Sequence, residues 1–146
     1  MVRVEEGDFV FRFGMLSLNV SRAWELVNSG DVPYTAQKIN ITRYAESMLA
    51  MSRDNLEPVS AMMRIDYDHM RSITPERAQE PTLWVQIDAG WLCVDGNHRI
   101  ANAYTDETYV VNAFMVRLAD VDKLHIPRPW PSIRAKVPKW FPQLQE

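Results

Sequence analysis

The sequence predicts a single α+β domain, and three observations carry that expectation. The chain has 146 residues, the size of one domain at about 100–200 residues each. Apolar residues make up 47% and charged residues 24%, the balance of a chain with a buried core rather than a disordered or fibrous one. Strand-like and helix-like segments follow one another in mixed order, with no internal repeat and no low-complexity tract.

Phe9–Phe13 and Leu16–Val20 read as strands, with Gly14 as a turn between them. Ser21 is a suitable helix cap and Gly30 a suitable stop, which predicts a short helix over 22–29. Ile41, Tyr44, Ala45, Met48, Leu49 and Ser52 fall on one helical stripe, so 41–53 is expected to be a helix packed on a sheet. Met48, Met51, Met62 and Met63 are read as core filling. Residues 59–65 read as a strand. Thr74-Pro75-Glu76 places proline in the first helical position behind a cap, and Pro81 ends that element. Thr82–Asp88 and Trp91–Asp95 form a hairpin across Ala89-Gly90. Asp95-Gly96-Asn97 breaks the strand, His98–Tyr104 suits a helix, and Tyr109–Leu118 is a further strand. From Ile126 the composition changes. Pro127, Pro129, Pro131, Pro138 and Pro142 predict an extended tail over 126–146, and Trp130 and Trp140 predict that it packs on the domain formed by 1–125.

The net charge of −3 argues against a strong non-specific grip on nucleic acid. Charge is polarised, however. Residues 1–116 hold ten basic against sixteen acidic residues, and 117–146 hold six against three. No apolar run approaches the ~20 residues of a membrane span, so no membrane insertion is expected. The first residues, Met1 to Glu6, lack the apolar stretch of a secretory signal. A single cysteine, Cys93, fits a reducing compartment, and a cytoplasmic location is expected.

The most informative segment runs from Trp91 to Tyr104: a buried strand, a glycine turn and a helix start carrying a cation. Gly96 permits a tight turn and close approach of a ligand. The first backbone N–H groups of the next helix lack internal partners, and the positive helix end favours an anion, phosphate above all. Arg99 can add bidentate bonds to phosphate oxygens, and His98 can donate a hydrogen bond or move a proton near neutral pH. Asp95 can hold Arg99 or His98, or accept a proton or a metal-bound water. The same residues admit a purely architectural reading, with Asp95 capping the helix and pairing with Arg99 while His98 is partly buried.

Asp95-Gly96-Asn97-His98-Arg99, followed by Ile100-Ala101-Asn102-Ala103-Tyr104, resembles the Asp-Gly-x-His-Arg signature of the ParB/sulfiredoxin superfamily. The similarity spans about residues 60–118, with Pro81-Thr82-Leu83-Trp84-Val85 at the family's proline before the strand and Ile65-Asp66 at its preceding Ile-Asp element. Sulfiredoxins carry their catalytic cysteine directly before His-Arg. Asn97 stands there in this chain, which excludes sulfinic-acid repair at that position, and Cys93 is read as a small buried hydrophobe. Partition proteins carry further DNA-binding domains for which 146 residues leave no room. The length, the Arg43-Tyr44-Ala45 helix followed by Met51, and the Pro-Thr-Leu-Trp hairpin look most like the plasmid fertility-inhibition (oncogenic-suppression) factors.

That resemblance implies a ParB/sulfiredoxin-like mixed sheet flanked by helices over 1–125. It implies binding and hydrolysis of ATP, cleavage of DNA phosphodiesters, and a block on conjugative DNA transfer through type IV secretion. Gly96, Asn97, His98 and Arg99 would hold the nucleotide phosphates, and Asp95, His98 and Arg99 would act in the reaction. Asp95 and Asp66 are the candidate Mg²⁺ ligands. If Asp66-Tyr67-Asp68-His69 is extended, Asp66 and Asp68 share one face. His69, His98 and His125 are too scattered to suggest a zinc site. In the tail, Arg128, Arg134, Lys136 and Lys139 interleave with Trp130 and Trp140, a pattern that suits single-stranded nucleic acid, an acidic protein surface, or a strap over the acidic body. The implied partners are ATP, DNA of the relaxosome or a transfer intermediate, and a secretion coupling protein. Two other readings remain: a non-catalytic nucleotide-dependent binding protein that inhibits the coupling protein or relaxosome, and a small-molecule kinase.

Overall fold

A computed structural model describes residues 3–13, 16–54, 66–88 and 90–126. The N-terminal strands β1 (Val10–Phe13) and β2 (Leu16–Asn19) pair antiparallel as a two-stranded sheet. Helix α1 (Val20–Ser29) follows without a linker, buries Val20, Ala23 and Val27 on one face, and ends at Gly30 with φ +85°. Its cap is Asn19 rather than Ser21, so the helix begins two residues earlier than expected. The Asn19 side-chain oxygen accepts from the Arg22 N–H, while its amide nitrogen donates to the Arg3 carbonyl and to Asp8. Ser21 instead accepts the Phe9 N–H on its hydroxyl, tying the hairpin to the helix.

Strand β3 (Thr35–Asn40) leads into α2 (Thr42–Asp54), as the periodicity of 41–53 predicts. Ile41, Tyr44, Ala45 and Met48 are all buried. The expected strand over 59–65 and the turn at Gly14 lie outside the described residues. Two short helices come next: α3 (Tyr67–Arg71), and α4 (Pro75–Ala78) with Thr74 as its cap and proline at its start. The predicted hairpin is β4 (Thr82–Ile87) with β5 (Gly90–Asp95), antiparallel, with a register shift at Leu83/Trp84. Helix α5 (Asn97–Thr105) then crosses to β6 (Val110–Val116), and α6 (Leu118–Val121) with a 3₁₀ turn over Asp122–Leu124 closes the described chain.

The main sheet has the order β3-β6-β4-β5. β6 runs antiparallel to β3 and parallel to β4, so the sheet is mixed and the architecture is α+β. A parallel return needs a crossover, and α5 supplies it. This connection sets the first turn of α5 at the end of β5. Helices α2, α3 and α4 pack against α5. Trp84 lies fully buried in the centre, in edge contact with Tyr44 at 4.7 Å between ring centroids. Its indole N–H donates to the Thr82 hydroxyl, which in turn donates to the Asn112 carbonyl. A large core side chain of this kind is worth about 1.5–3 kcal/mol in burial, and the bonded N–H avoids the cost of a buried orphan donor. Among the described residues no helix is long and apolar enough to cross a membrane. Where the tail begins, His125 bridges to Leu18 and the Ile126 N–H donates to the Ser17 carbonyl. Arg128, Arg134, Lys136 and Lys139 lie outside the described residues.

Gly96 turns the chain from β5 into α5 at φ +116°, and a Cβ there would sit 2.5 Å from the Thr82 methyl carbon. Gly96→Ala is therefore expected to destabilise the fold by about 2 kcal/mol or more, through overlap and backbone strain together. Adding Thr82→Ser removes the struck methyl and should recover part of the loss. Equilibrium urea unfolding measures both. A Gly96→Ala midpoint equal to wild type would contradict this description of the corner.

Candidate active site

The corner at 95–99 faces a cavity of about 140 Å³, walled by Phe9, Phe11 of β1, His69 of α3, Arg77 of α4, and the run Val94–Arg99. Helix α5 opens on this cavity with Gly96 as its cap residue, and no side chain caps it. The architectural expectation that Asp95 caps the helix is therefore incorrect. Asp95 is still the last residue of β5, and its carboxylate is committed elsewhere. One oxygen accepts from the Trp24 indole N–H at 2.7 Å, and the other stands 3.6 Å from Arg99.

Arg99 is only 5% exposed. Its guanidinium donates to the backbone carbonyls of Glu80 (3.0 Å) and Pro81 (3.1 Å), with the Glu80 carboxylate 3.9 Å away. Its charge borders the cavity, but its donors point into the fold. Asn97 is engaged in the same way. Its amide nitrogen donates to the Cys93 carbonyl, and its amide oxygen accepts from the Tyr44 hydroxyl, which itself accepts the Cys93 N–H. The Asn97 side chain is thus taken up by the strand and α2, although the residue borders the cavity. Cys93 is fully buried as expected, and burial pushes its thiol pKa well up, followed by the nearby Asp95 charge. The neutral thiol is the form least suited to nucleophilic chemistry.

His98 is partly buried. Its Nε2 accepts the Asp66 N–H at 3.1 Å, so the neutral ring carries its proton on Nδ1. The His69 ring meets it edge to face at 4.6 Å between centroids. Sequence spacing gave no sign that these two histidines meet. It also did not reveal Arg77, Phe9 and Phe11 as walls, or Trp24 as the partner that holds Asp95 from 71 positions away. Docking of the N-terminal segment and α1 brings in Phe9, Phe11 and Trp24, and packing of α4 on α5 brings in Arg77.

The segment holding Asp66 is not extended. Asp66 caps α3, and its carboxylate accepts the N–H groups of Asp68 and His69. The shared face that an extended segment would give Asp66 and Asp68 is therefore absent, because capping makes the segment helical. The residues present do not fit a resident Mg²⁺. One oxygen of the Asp66 carboxylate takes both backbone donors, and Asp95 is held by an N–H and faces a guanidinium, so the two carboxylates do not present a shared set of free oxygens. Among the described residues no group of three His, Cys, Asp or Glu converges as a metal site.

No family model matches the chain, and neither a curated protein nor a solved structure matches it. The functional reading therefore rests on the site's own residues and on the resemblance carried by Asp95–Arg99.

Burial, then the neighbouring His69, holds the His98 pKa below its ordinary value near 6.5, with the Asp66 charge acting in the opposite sense. The unfolded chain therefore takes up a proton at higher pH than the folded one. Stability should fall as pH drops below about 6.5 and level off once the folded His98 is itself protonated. Protonation also removes the acceptor for the Asp66 N–H. An NMR titration of the His98 ring should give a midpoint below that of a model imidazole, and His98→Gln should flatten the acid side of the stability profile. A midpoint above 6.5 would contradict the geometry.

Proposed function

We propose that this chain binds nucleotide phosphates in the cavity at the start of α5. In keeping with its resemblance to the fertility-inhibition factors of the ParB/sulfiredoxin superfamily, we propose that it hydrolyses ATP and DNA phosphodiesters and so blocks DNA transfer through a type IV secretion apparatus. The observation that carries this reading is the cavity of about 140 Å³ on an uncapped helix start with the His98 ring on its wall. Phosphate oxygens accept from the backbone N–H groups of Asn97 and His98 and from the Nδ1–H of His98. Gly96 lets them approach the backbone. Arg99 lies behind, a fixed positive charge in a low-dielectric setting. In this reading Asp95, which borders the cavity, orients the attacking water through the oxygen that faces Arg99 at 3.6 Å, its other oxygen being held by Trp24. Phosphoryl transfer needs mainly position and charge stabilisation, so a set this small is sufficient. Mg²⁺ in this reading enters with ATP as part of the substrate. A DNA phosphodiester presents the same kind of atom to water, and Arg128, Arg134, Lys136 and Lys139 supply contacts along its backbone.

A second reading is favoured by one observation. The side chains of Arg99 and Asn97 are both directed into the fold, which suits a site that holds phosphate without turning it over. The chain would then inhibit a secretion coupling protein or the relaxosome by docking in a nucleotide-dependent way.

Labelled ATP separates the readings. Hydrolysis predicts release of free phosphate by wild type and at least a ~10-fold lower rate for His98→Ala, with circular dichroism checking that the variant is folded, since it also loses the acceptor for the Asp66 N–H. A DNA nicking assay with the same two proteins controls for contaminating nuclease. ATP binding in calorimetry without turnover moves the conclusion to the second reading, and absence of ATP binding contradicts both. Arg99→Ala is the weaker probe, because it also releases the carbonyls of Glu80 and Pro81.

A further inference from the structure

A second hollow, of about 440 Å³, borders the first, and Arg77, Asp95 and Arg99 line both. Its remaining character is different. Trp24 of α1 and Phe114 of β6 form an aromatic wall, their ring centroids 5.7 Å apart and the planes tilted by 56°. Both rings are held in place by a neighbour. The Trp24 N–H is held by Asp95, and Tyr34 stacks on Phe114 at 4.4 Å. The charges around the wall are already balanced. Arg77 pairs with Glu80 at 3.0 Å, and Arg99 stands between Asp95 and Glu80. An anion entering here would meet two carboxylates, and a cation two guanidinium groups. A flat, uncharged ring with a hydrogen-bonding edge meets neither penalty, and Asn28 on the rim offers that edge an amide.

We propose that this hollow is a nucleobase subsite, in which a base lies against Trp24 and Phe114 while its phosphates occupy the smaller cavity. The inference rests on the phosphate-binding reading for its second half only. The volumes agree with the division. Ligand sites of about 300–1,000 Å³ are usual for an organic molecule, a range that includes the larger hollow and excludes the smaller. Phe114 is then a specificity residue and Trp24 a positioning residue. Through its N–H, Trp24 connects an occupied base subsite to the Asp95 carboxylate at the phosphate corner.

The test uses the full chain and four probes: adenosine, cytidine, tripolyphosphate and ATP, followed by calorimetry and tryptophan fluorescence. Phe114→Leu keeps an apolar side chain of similar reach and removes the flat face, and Phe114→Ala removes the side chain. Circular dichroism confirms that each variant is folded. Stacking of one base is worth roughly 5- to 150-fold in affinity. Phe114→Leu is therefore expected to weaken ATP and a nucleoside by about 10-fold or more while tripolyphosphate binds as to wild type. Equal losses for ATP and tripolyphosphate, or no loss for either, overturn the subsite. If tripolyphosphate does not bind wild type, the phosphate reading is what has failed. The nucleosides then decide alone: binding lost in Phe114→Leu upholds the subsite, and no nucleoside binding to wild type overturns it.

Discussion

The guanidinium of Arg99, 5% exposed and donating to the carbonyls of Glu80 and Pro81, joins three elements of the molecule. It fastens the first turn of α5 to the segment entering β4, and it faces Asp95 at the end of β5. A buried cation is costly unless it is bonded, so the chain entering β4 is held to a path that presents both carbonyls. Gly96 is drawn so close to Thr82 that no side chain fits between them. Arg99 also borders both hollows, so their relation to one another depends on where this group is held. Removing it would leave two carbonyls and a carboxylate without their cation in a partly dry setting.

A second device fixes the other side of the corner. Tyr44, buried in α2, receives the Cys93 N–H on its hydroxyl and donates to Asn97, which returns a bond to the Cys93 carbonyl. Burial holds the Tyr44 phenol well above its ordinary pKa, so it stays protonated and able to donate. Strand, turn and helix are thus closed by side chains at positions 44, 97 and 99. The start of α5, which no side chain caps, and the His98 ring are the parts of the motif left beside the cavity without a structural bond to the strand. This division assigns rigidity to Asn97 and Arg99 and contact to Gly96, His98 and the main chain.

Much of this was legible before the structure. The stripe through Ile41, Tyr44, Ala45 and Met48 marked α2, and the paired apolar runs about Ala89-Gly90 marked the β4–β5 hairpin. Asp95-Gly96-Asn97 marked the break that precedes α5. β3 escaped because it is an edge strand with Ile39 as its one buried residue, so it has almost no alternation to read. The cap of α1 was misplaced because Asn19 and Ser21 are equally good caps by type, and only the approach of Arg3 and Asp8 favours Asn19. Asp66 looked like a metal ligand because a carboxylate that caps a helix is indistinguishable in sequence from one that binds a cation. The aromatic wall of Trp24 and Phe114 was invisible for a simpler reason: its members are 90 positions apart and meet only when α1 lies beside β6.

The central claim is that phosphate oxygens rest on the main chain at the start of α5. Amide chemical-shift mapping during a tripolyphosphate titration reads that contact residue by residue. The account predicts that the N–H resonances of Gly96, Asn97 and His98 move most and saturate together. Shifts confined to the basic residues after Ile126, or the absence of any saturable shift at 96–98, would contradict it.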